Sequence, residues 1–190
     1  MALCDIPRYI AEEQFELIGE LFQDEDFVNV YATTNRDILF TVNPTTADFL
    51  LNYDPIRKFC LETRDVNDNT PLMSSICTRN WELTKVLISR NSDVNAFIAK
   101  DYGIVITPLT LLLHEIRISP SLNTLREEVL TLLLSSGADS NPGGLTNGYL
   151  TPLHLAMHWC DSRTVELLFQ YGCKFTHVDW DAWRGGVVGQ

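Results

Sequence analysis

Two histidines four residues apart come nearest to a chemical site in this chain. His154 and His158 would share one face of a helix, and Cys160, Cys173 and His177 follow soon after. A zinc site, and with it a small zinc-dependent hydrolase, could be drawn from such side chains. We favour packing roles, because the sequence contains no HExxH, GxSxG, GxxxxGK[ST] or GxGxxG motif and no nucleophile has an evident base beside it. The sequence therefore predicts a non-enzymatic protein with no metal and no cofactor.

The segment that carries these histidines, residues 151–175, predicts two short helices. Pro152 suits a first helical turn, because proline has no N–H to lose there and its φ is already helical. In the second helix, from Arg163 to Tyr171, the apolar band is too wide for a helix with one solvated side. Gly172 follows, where a helix end favours a residue tolerant of positive φ. Neither helix can bury its apolar surface alone, so neighbouring helices should stack on both sides.

The same pattern occurs twice more along the chain. It begins at Thr70-Pro71-Leu72 and again at Thr107-Pro108-Leu109. Asn91 and Gly137 then fall on the position of Gly172, and asparagine is enriched among non-glycine residues in the left-handed conformation. A fixed period of about 33 residues, with additions in loops, is the signature of a helical repeat array.

The residues of these three copies carry a family resemblance. TPLHLA at 151–156, GAD at 137–139 and DVNA at 93–96 resemble the ankyrin repeat, and the resemblance is clear over roughly residues 65–180. It implies an all-α ankyrin-repeat solenoid of stacked helix pairs with short β-hairpin fingers, in four to five repeats including degenerate N-terminal ones. His154 would then be the histidine of the TPLH motif, which hydrogen-bonds backbone to brace the turns.

The resemblance also divides the chain into regions. Residues 1–64 would form an N-terminal cap and degenerate repeats, residues 65–180 three clear repeats and the start of a further unit, and residues 181–190 a C-terminal tail. Cys173 takes the place of the family's alanine and would be a small buried filler. Trp81 aligns with an inward position of a second helix and should belong to the core.

The N-terminal region gives weaker local signals. Residues 7–23 predict one amphipathic helix that acts as a cap, and residues 27–30 could echo the DVNA segment that ends a repeat. Residues 45–53 would form a shortened second helix, stopped by Pro55. Residues 56–61 could equally be that second helix.

Two departures from the repeat length stand out. Phe97 to Ile106 has extra residues of β-branched and aromatic type, which predict a longer two-stranded finger. Within Arg117 to Arg126 the second clear repeat has an insertion broken by Pro120, which predicts a loop. Such a loop could serve function or be a tolerated surface addition, since loop length costs little stability.

Charge and composition narrow the possible partners. The net charge is −11, and residues 1–68 hold 14 acids against 5 bases. An acidic surface repels phosphate backbones, so we expect no nucleic acid partner. A basic protein segment would match the N-terminal part, and solubility alone explains the charge equally well.

The same sequence features indicate the compartment. No apolar run approaches the roughly 20 residues that a membrane span requires, and the N-terminus has no secretory pattern. The five cysteines are widely spread without a CxxC pair, which suits reduced thiols. We therefore expect a cytoplasmic or nuclear protein without membrane insertion.

The function that the resemblance implies is binding of another protein on a concave surface. A runner-up is the substrate-recognition region of a larger effector or ubiquitin-ligase adaptor, of viral, bacterial or host signalling origin; the zinc hydrolase is third. Aromatic residues on an exposed face are common binding anchors, so Trp159 is the strongest single candidate, with packing against the insertion as its equal alternative. The resemblance places the partner-binding positions at the turn tips and on the first helices, with two tyrosines beside them: Asn69, Cys77, Thr78, Tyr102, Ile104, Ile106, His114, Glu115, Asn147, Tyr149, Leu150, His158 and Trp159.

Overall fold

The computed structural model describes residues 5–100, 105–118, 123–142, 151–159 and 162–175, and for residues 116–118, 123–124 and 158–159 it describes the backbone alone. These residues are mainly helical, with two short strands. The chain divides into two compact units. The N-terminal unit comprises Met1–Ser75 and Glu82–Ser92, and the C-terminal unit comprises Ile76–Trp81 and Asp93–Gln190.

The N-terminal unit is built from short helices around an apolar core. Helix α1 packs against α2, and α3 packs against α5. Ile6, Ile18, Leu39 and Ile56 are fully buried between them. The helices are α1 (Ile6–Ala11), α2 (Phe15–Leu21), α3 (Glu25–Thr34), α4 (Pro44–Leu50) and α5 (Asp54–Cys60), with a 3-10 turn at Ile38–Phe40; α6 (Pro71–Cys77) and α7 (Trp81–Ser89) have residues in both units.

The prediction of one helix over residues 7–23 is wrong. The helix is interrupted between α1 and α2, where Glu13 takes a φ of 52°. The N–H of Glu13 donates to the carbonyl of Ile10 and the N–H of Gln14 to that of Tyr9, which are the paired bonds of a Schellman ending. Glutamate in place of the usual glycine hides this ending from sequence reasoning.

The interpretation of residues 27–30 as the end of a repeat is also wrong, because these residues lie inside α3. The side chain of Asp24 accepts hydrogen bonds from the backbone N–H groups of Asp26 (3.0 Å) and Phe27 (3.2 Å). An aspartate cap followed by acidic residues in the first turn favours a helix at this point. That signal outweighs the likeness of Phe27-Val28-Asn29 to DVNA.

The helix predicted over residues 45–53 is present but shorter. It begins at Pro44 after the Asn43 side chain, which accepts from the N–H of Thr46 at 2.8 Å, and it ends at Leu50. Pro55 does not stop this helix; it lies in the first turn of α5. Both predicted alternatives therefore contain a helix, α4 over residues 45–50 of the first and α5 over residues 56–60 of the second.

The C-terminal unit contains two successive helix pairs. Within each pair the helices pack on each other, and the first helices of the two pairs are in contact, as are the second helices. Its elements are β1 (Ile98–Ala99), β2 (Val105–Ile106), α8 (Pro108–Ile118), α9 (Asn123–Ser135), α10 (Pro152–Trp159) and α11 (Ser162–Gln170).

The predicted finger between the first two clear repeats is confirmed. Strands β1 and β2 pair antiparallel, with Ile98 opposite Ile106 and Ala99 opposite Val105. The β-branched residues of this stretch favour such a pair over a turn.

The predicted loop at Arg117–Arg126 is corrected in part. Arg117 and Ile118 continue α8, and α9 begins at Asn123 and includes Arg126. Helices α8 and α9 have 11 and 13 residues, whereas α10 and α11 have 8 and 9. The extra residues therefore lengthen both helices, and residues 119–122 lie outside the described part of the chain.

Candidate functional site

Each of the three Thr-Pro turns starts its helix through the same hydrogen bond. The threonine hydroxyl accepts from the backbone N–H three residues further on, which satisfies one of the four N–H groups without a partner inside a helix. The bonds join Thr70 to Met73 (3.3 Å), Thr107 to Thr110 (3.2 Å) and Thr151 to His154 (3.0 Å). The same local geometry therefore positions the candidate residues on α6, α8 and α10.

The second of these turns is braced by a threonine in the place of the motif histidine. The hydroxyl of Thr110 accepts from the backbone N–H of Thr107 at 2.8 Å and donates to the carbonyl of the same residue at 3.0 Å. Both residues are buried. Thr110 thus gives this turn the bracing that the resemblance expects of a histidine, and for the side chain of His154 that role stays a prediction.

The three second helices also end alike. Asn91, Gly137 and Gly172 take positive φ values of 66°, 90° and 80°. In each case the N–H of the left-handed residue bonds to the carbonyl three residues before it, and the next N–H bonds to the carbonyl five residues before it. The predicted equivalence of Asn91 with the two glycines is confirmed.

Aspartate side chains fix three turns of similar sequence, two of which follow the helix ends at Asn91 and Gly137. The carboxylate of an aspartate accepts from the backbone N–H two residues further on, which is an Asx turn. The bonds join Asp65 to Asn67 (2.8 Å), Asp93 to Asn95 (2.9 Å) and Asp139 to Asn141 (2.8 Å). The spacing D-x-N is the sequence signal of this turn.

Two of these asparagines also connect consecutive turns of the C-terminal unit. The Nδ2 of Asn95 donates to the carbonyl of Gly137 at 2.9 Å, and its Oδ1 accepts from the N–H of Asp139 at 2.7 Å. Asn141 repeats the arrangement, with Nδ2 donating to the carbonyl of Gly172 at 3.0 Å and Oδ1 accepting from the N–H of Lys174 at 2.7 Å. We call these four bonds the asparagine ladder. Sequence reasoning missed it, although the recurring asparagine was its signal.

The described candidate residues of the C-terminal unit lie partly open to solvent. Cys77 and Thr78 are exposed where α6 ends. His114 is exposed on α8, and Ile106 is half-buried on β2. Asn69 belongs to the N-terminal unit, and its N–H and side chain bond to Asp65 at 2.9 and 3.3 Å.

Glu115 is held by an ion pair that joins two parts of this surface. Its carboxylate accepts from the Nε of Arg79 at 2.9 Å, and its side chain is 15% exposed. Arg79 follows Thr78 and has a φ of 59°. The pair therefore joins the turn after α6 to Glu115 of α8, and Thr78 and His114 each adjoin one residue of the pair in sequence.

Sequence reasoning did not pair Arg79 with Glu115, although a signal existed. The two residues are 36 positions apart, and the same separation joins Arg163 on α11 to Glu127 on α9 at 2.9 Å. Opposite charges 36 positions apart are therefore in contact in both cases. The hydrogen bond and charge of Glu127 raise the pKa of Arg163 above its ordinary value.

The Asx turn at Asp65 has an electrostatic signature. Partial burial raises the pKa of Asp65. Hydrogen bonds from the backbone and side chains of Asn69 and Asn67 lower this pKa by more, so that it lies below the ordinary value of 3.8. The ionised carboxylate is the acceptor that this turn requires.

Several candidates fall outside what the structure describes. Tyr102, Ile104, Asn147, Tyr149 and Leu150 lie outside the described residues. His158 and Trp159 are described only as backbone at the end of α10. Whether Trp159 is an anchor or packs against the insertion therefore stays a prediction.

The buried candidates are where the sequence placed them. Trp81 is 6% exposed, as expected of a core residue. Cys173 is buried, and its Sγ lies 3.3 Å from the carbonyl of Ser140. Among the described residues, no group of three or more His, Cys, Asp or Glu side chains could hold a metal ion. Cys160 and His177, which the zinc hypothesis requires, lie outside that part of the chain.

An open cleft of about 450 Å³ lies beside the finger of the C-terminal unit. Phe97 and Val105 line it from the β1–β2 side, and the turn after α9 contributes to it as well. Among the described residues, its lining is Asn95, Phe97, Val105, Thr107, Asp139 and Pro142. Sequence reasoning did not identify this cleft, because its residues come from three separate stretches of the chain.

Comparison with known families supports the resemblance. Residues 149–180 match the family model of the ankyrin repeat. No significant match to a curated protein was found. None of the helices in the described residues is long and apolar enough to cross a bilayer.

Proposed function

We propose that this ankyrin-repeat protein is a protein-recognition module whose repeats stack as a solenoid. The match at residues 149–180 is the observation that carries the proposal, because ankyrin repeats create extended concave surfaces that bind other proteins. The two preceding Thr-Pro segments support it, since they share the threonine cap and the left-handed helix end of the matched repeat.

The partner would bind at what we call the recognition face, defined by the exposed residues Cys77, Thr78 and His114 with Ile106 beside them. The Arg79–Glu115 ion pair supports this grouping, because it joins at 2.9 Å the residue after Thr78 to the residue after His114. Rigid presentation of a surface lowers the entropy lost on binding. The face would extend to the remaining predicted positions, Tyr102, Ile104, Asn147, Tyr149, Leu150, His158 and Trp159.

The chemistry of the partner follows from charge. With a net charge of −11, the chain attracts basic segments at long range and repels other acidic chains. We propose a partner with a basic segment. The five cysteines, widely spread and without a CxxC pair, support a reducing compartment such as the cytoplasm or nucleus.

Capture from a lysate of the source organism tests the recognition face. The disrupting variant carries Thr78→Lys and His114→Lys, which place two long charged side chains on it. The matched control carries Ser89→Lys and Gln170→Lys, since both residues are exposed on second helices and the added charge is the same. Circular dichroism first establishes that all three proteins are folded.

Proteins identified by mass spectrometry with the wild type and the control, and lost from the disrupting variant, are the expected result. Equal capture by all three proteins would reject the recognition face. Capture of nothing above background would reject the recognition module itself. Ubiquitin-ligase subunits among the captured proteins would favour the adaptor role predicted as an alternative.

A further inference from the structure

We propose that the cleft beside the finger binds two neighbouring side chains of a partner's peptide segment, one apolar and one Lys or Arg. The inference rests on the proposed function and adds a subsite with its own chemistry. The apolar side chain would lie against Phe97, Val105 and Pro142. The basic side chain would pair with Asp139.

The size and the walls of the cleft suit such an occupant. Its volume of about 450 Å³ falls within the range of about 300–1,000 Å³ that is typical of ligand pockets. Backbone pairing of β1 with β2 fixes one wall. The ladder bonds from Asn95 to Gly137 and Asp139 fix the other, at 2.9 and 2.7 Å. These described parts of the cleft are therefore held in place by hydrogen bonds within the chain.

The apolar part of the cleft centres on Phe97. Its side chain is 56% exposed, whereas the next residue, Ile98, is buried, as expected where successive side chains point to opposite faces. Val105, half-buried, lies beside it in the lining. Large exposed aromatic residues next to a concave surface are typical binding anchors. An apolar side chain of a partner would cover this area.

The polar part of the cleft is a carboxylate. Oδ1 of Asp139 accepts from the N–H of Asn141 at 2.8 Å, and Asp139 is exposed. A carboxylate has two oxygens and about four acceptor positions, so Oδ2 can accept from a Lys or Arg side chain.

Charge favours a peptide with a basic side chain over two other occupants, nucleic acid and a second copy of this chain. Asp139 is the one charged residue of the described lining, so the cleft disfavours an anionic occupant such as nucleic acid, and it offers no basic side chain to the acidic groups of a second copy. The carboxylate attracts a peptide with a basic side chain, and burial of the neighbouring apolar side chain in the cleft stabilises the complex.

A phage-displayed random dodecapeptide library, selected on the full chain, tests the proposal. We expect enriched peptides in which an apolar residue stands within about two positions of Lys or Arg. Enriched peptides are then synthesised, and their binding to four variants is measured by fluorescence anisotropy.

Two variants change the cleft and two are matched controls. Phe97→Ala should weaken binding by about fivefold or more, as for an aromatic anchor. Asp139→Asn keeps the Oδ1 acceptor of the Asx turn and should weaken binding about two- to fivefold, as for an exposed ion pair. Phe175→Ala and Asp65→Asn, the latter in an equivalent Asx turn, make the same changes outside the cleft lining and should leave the affinity within about twofold of the wild type.

A double-mutant cycle identifies the charge contact. Replacing the basic residue of the peptide by Gln should weaken binding to the wild type by the same factor as Asp139→Asn, and should have no further effect on that variant. Peptides without the apolar–basic pair, insensitivity to both cleft variants, or no enrichment at all would overturn the proposal. The recognition module fails separately, when lysate capture yields nothing with the wild type.

Discussion

Replacement of Asn141 by alanine tests the asparagine ladder. The change removes two bonds between turns, Nδ2 to the carbonyl of Gly172 at 3.0 Å and Oδ1 to the N–H of Lys174 at 2.7 Å. A typical hydrogen bond contributes about 0.5–1.5 kcal/mol net, and these bonds are exposed, so the lower half of the range applies. We expect the free energy of unfolding to fall by about 1–2 kcal/mol.

Urea denaturation followed by circular dichroism measures this loss. For a chain of this size, about 1 kcal/mol corresponds to about 2–4 °C, so the melting temperature should fall by about 2–8 °C. Asn95→Ala removes the equivalent bonds and should give a loss in the same range. Gln170→Ala, on the exposed surface of α11, is the control for loss of an amide side chain.

The outcome that refutes this reasoning is an Asn141→Ala protein as stable as Gln170→Ala. The turns would then be held by their backbone bonds alone, and the ladder would be a consequence of the fold with no share in its stability. A changed slope of the urea transition would instead indicate that the two units unfold separately.

Three further measurements follow from burial and charge. Leu134 is 3% exposed and its counterpart Phe169 is 47% exposed, so Leu134→Ala should cost about 2–5 kcal/mol and Phe169→Ala about 1 kcal/mol in urea denaturation; equal losses would contradict this. Cys77 is exposed, whereas burial raises the pKa of Cys60 to about 11, so peptide mapping after brief iodoacetamide treatment should find Cys77 labelled first; faster labelling of Cys60 would oppose its burial. The folded pKa of Asp65 is lowered, so its stabilising contribution is present above the unfolded pKa of about 4 and is lost as pH falls through the folded value. In Asp65→Asn the free energy of unfolding, measured by urea denaturation, should therefore decrease less steeply below about pH 4 than in the wild type. The same pH dependence in both proteins would contradict the lowered pKa of Asp65.

Local signals explain why the starts and ends of several helices could be predicted from the sequence. Thr107 and Thr151 start helices through their own side chains, and Gly172 ends one through its own backbone freedom. Such features need only a few neighbouring residues. Asn91 is a further case: its alignment with Gly172 was enough to predict its left-handed conformation, although it is not a glycine.

The parts that could not be predicted depend on contacts between distant residues or on atypical residues at local positions. Glu13 ends α1 with a positive φ that glycine would have signalled. Arg117 and Arg126 lie in lengthened helices, although Pro120 between them favours a loop. The cleft is lined by residues from 95–97, 105–107 and 139–142, so no single stretch of sequence could predict it.

The central claim is that a partner protein binds the recognition face, and hydrogen exchange of the chain with its captured partner tests it most directly. The account predicts slower exchange on binding in residues 77–79 and 106–115. Residues 5–60 of the N-terminal unit should exchange as in the free protein. Protection confined to residues 5–60, with residues 77–79 and 106–115 unchanged, would contradict the account and would place the partner on the acidic N-terminal unit.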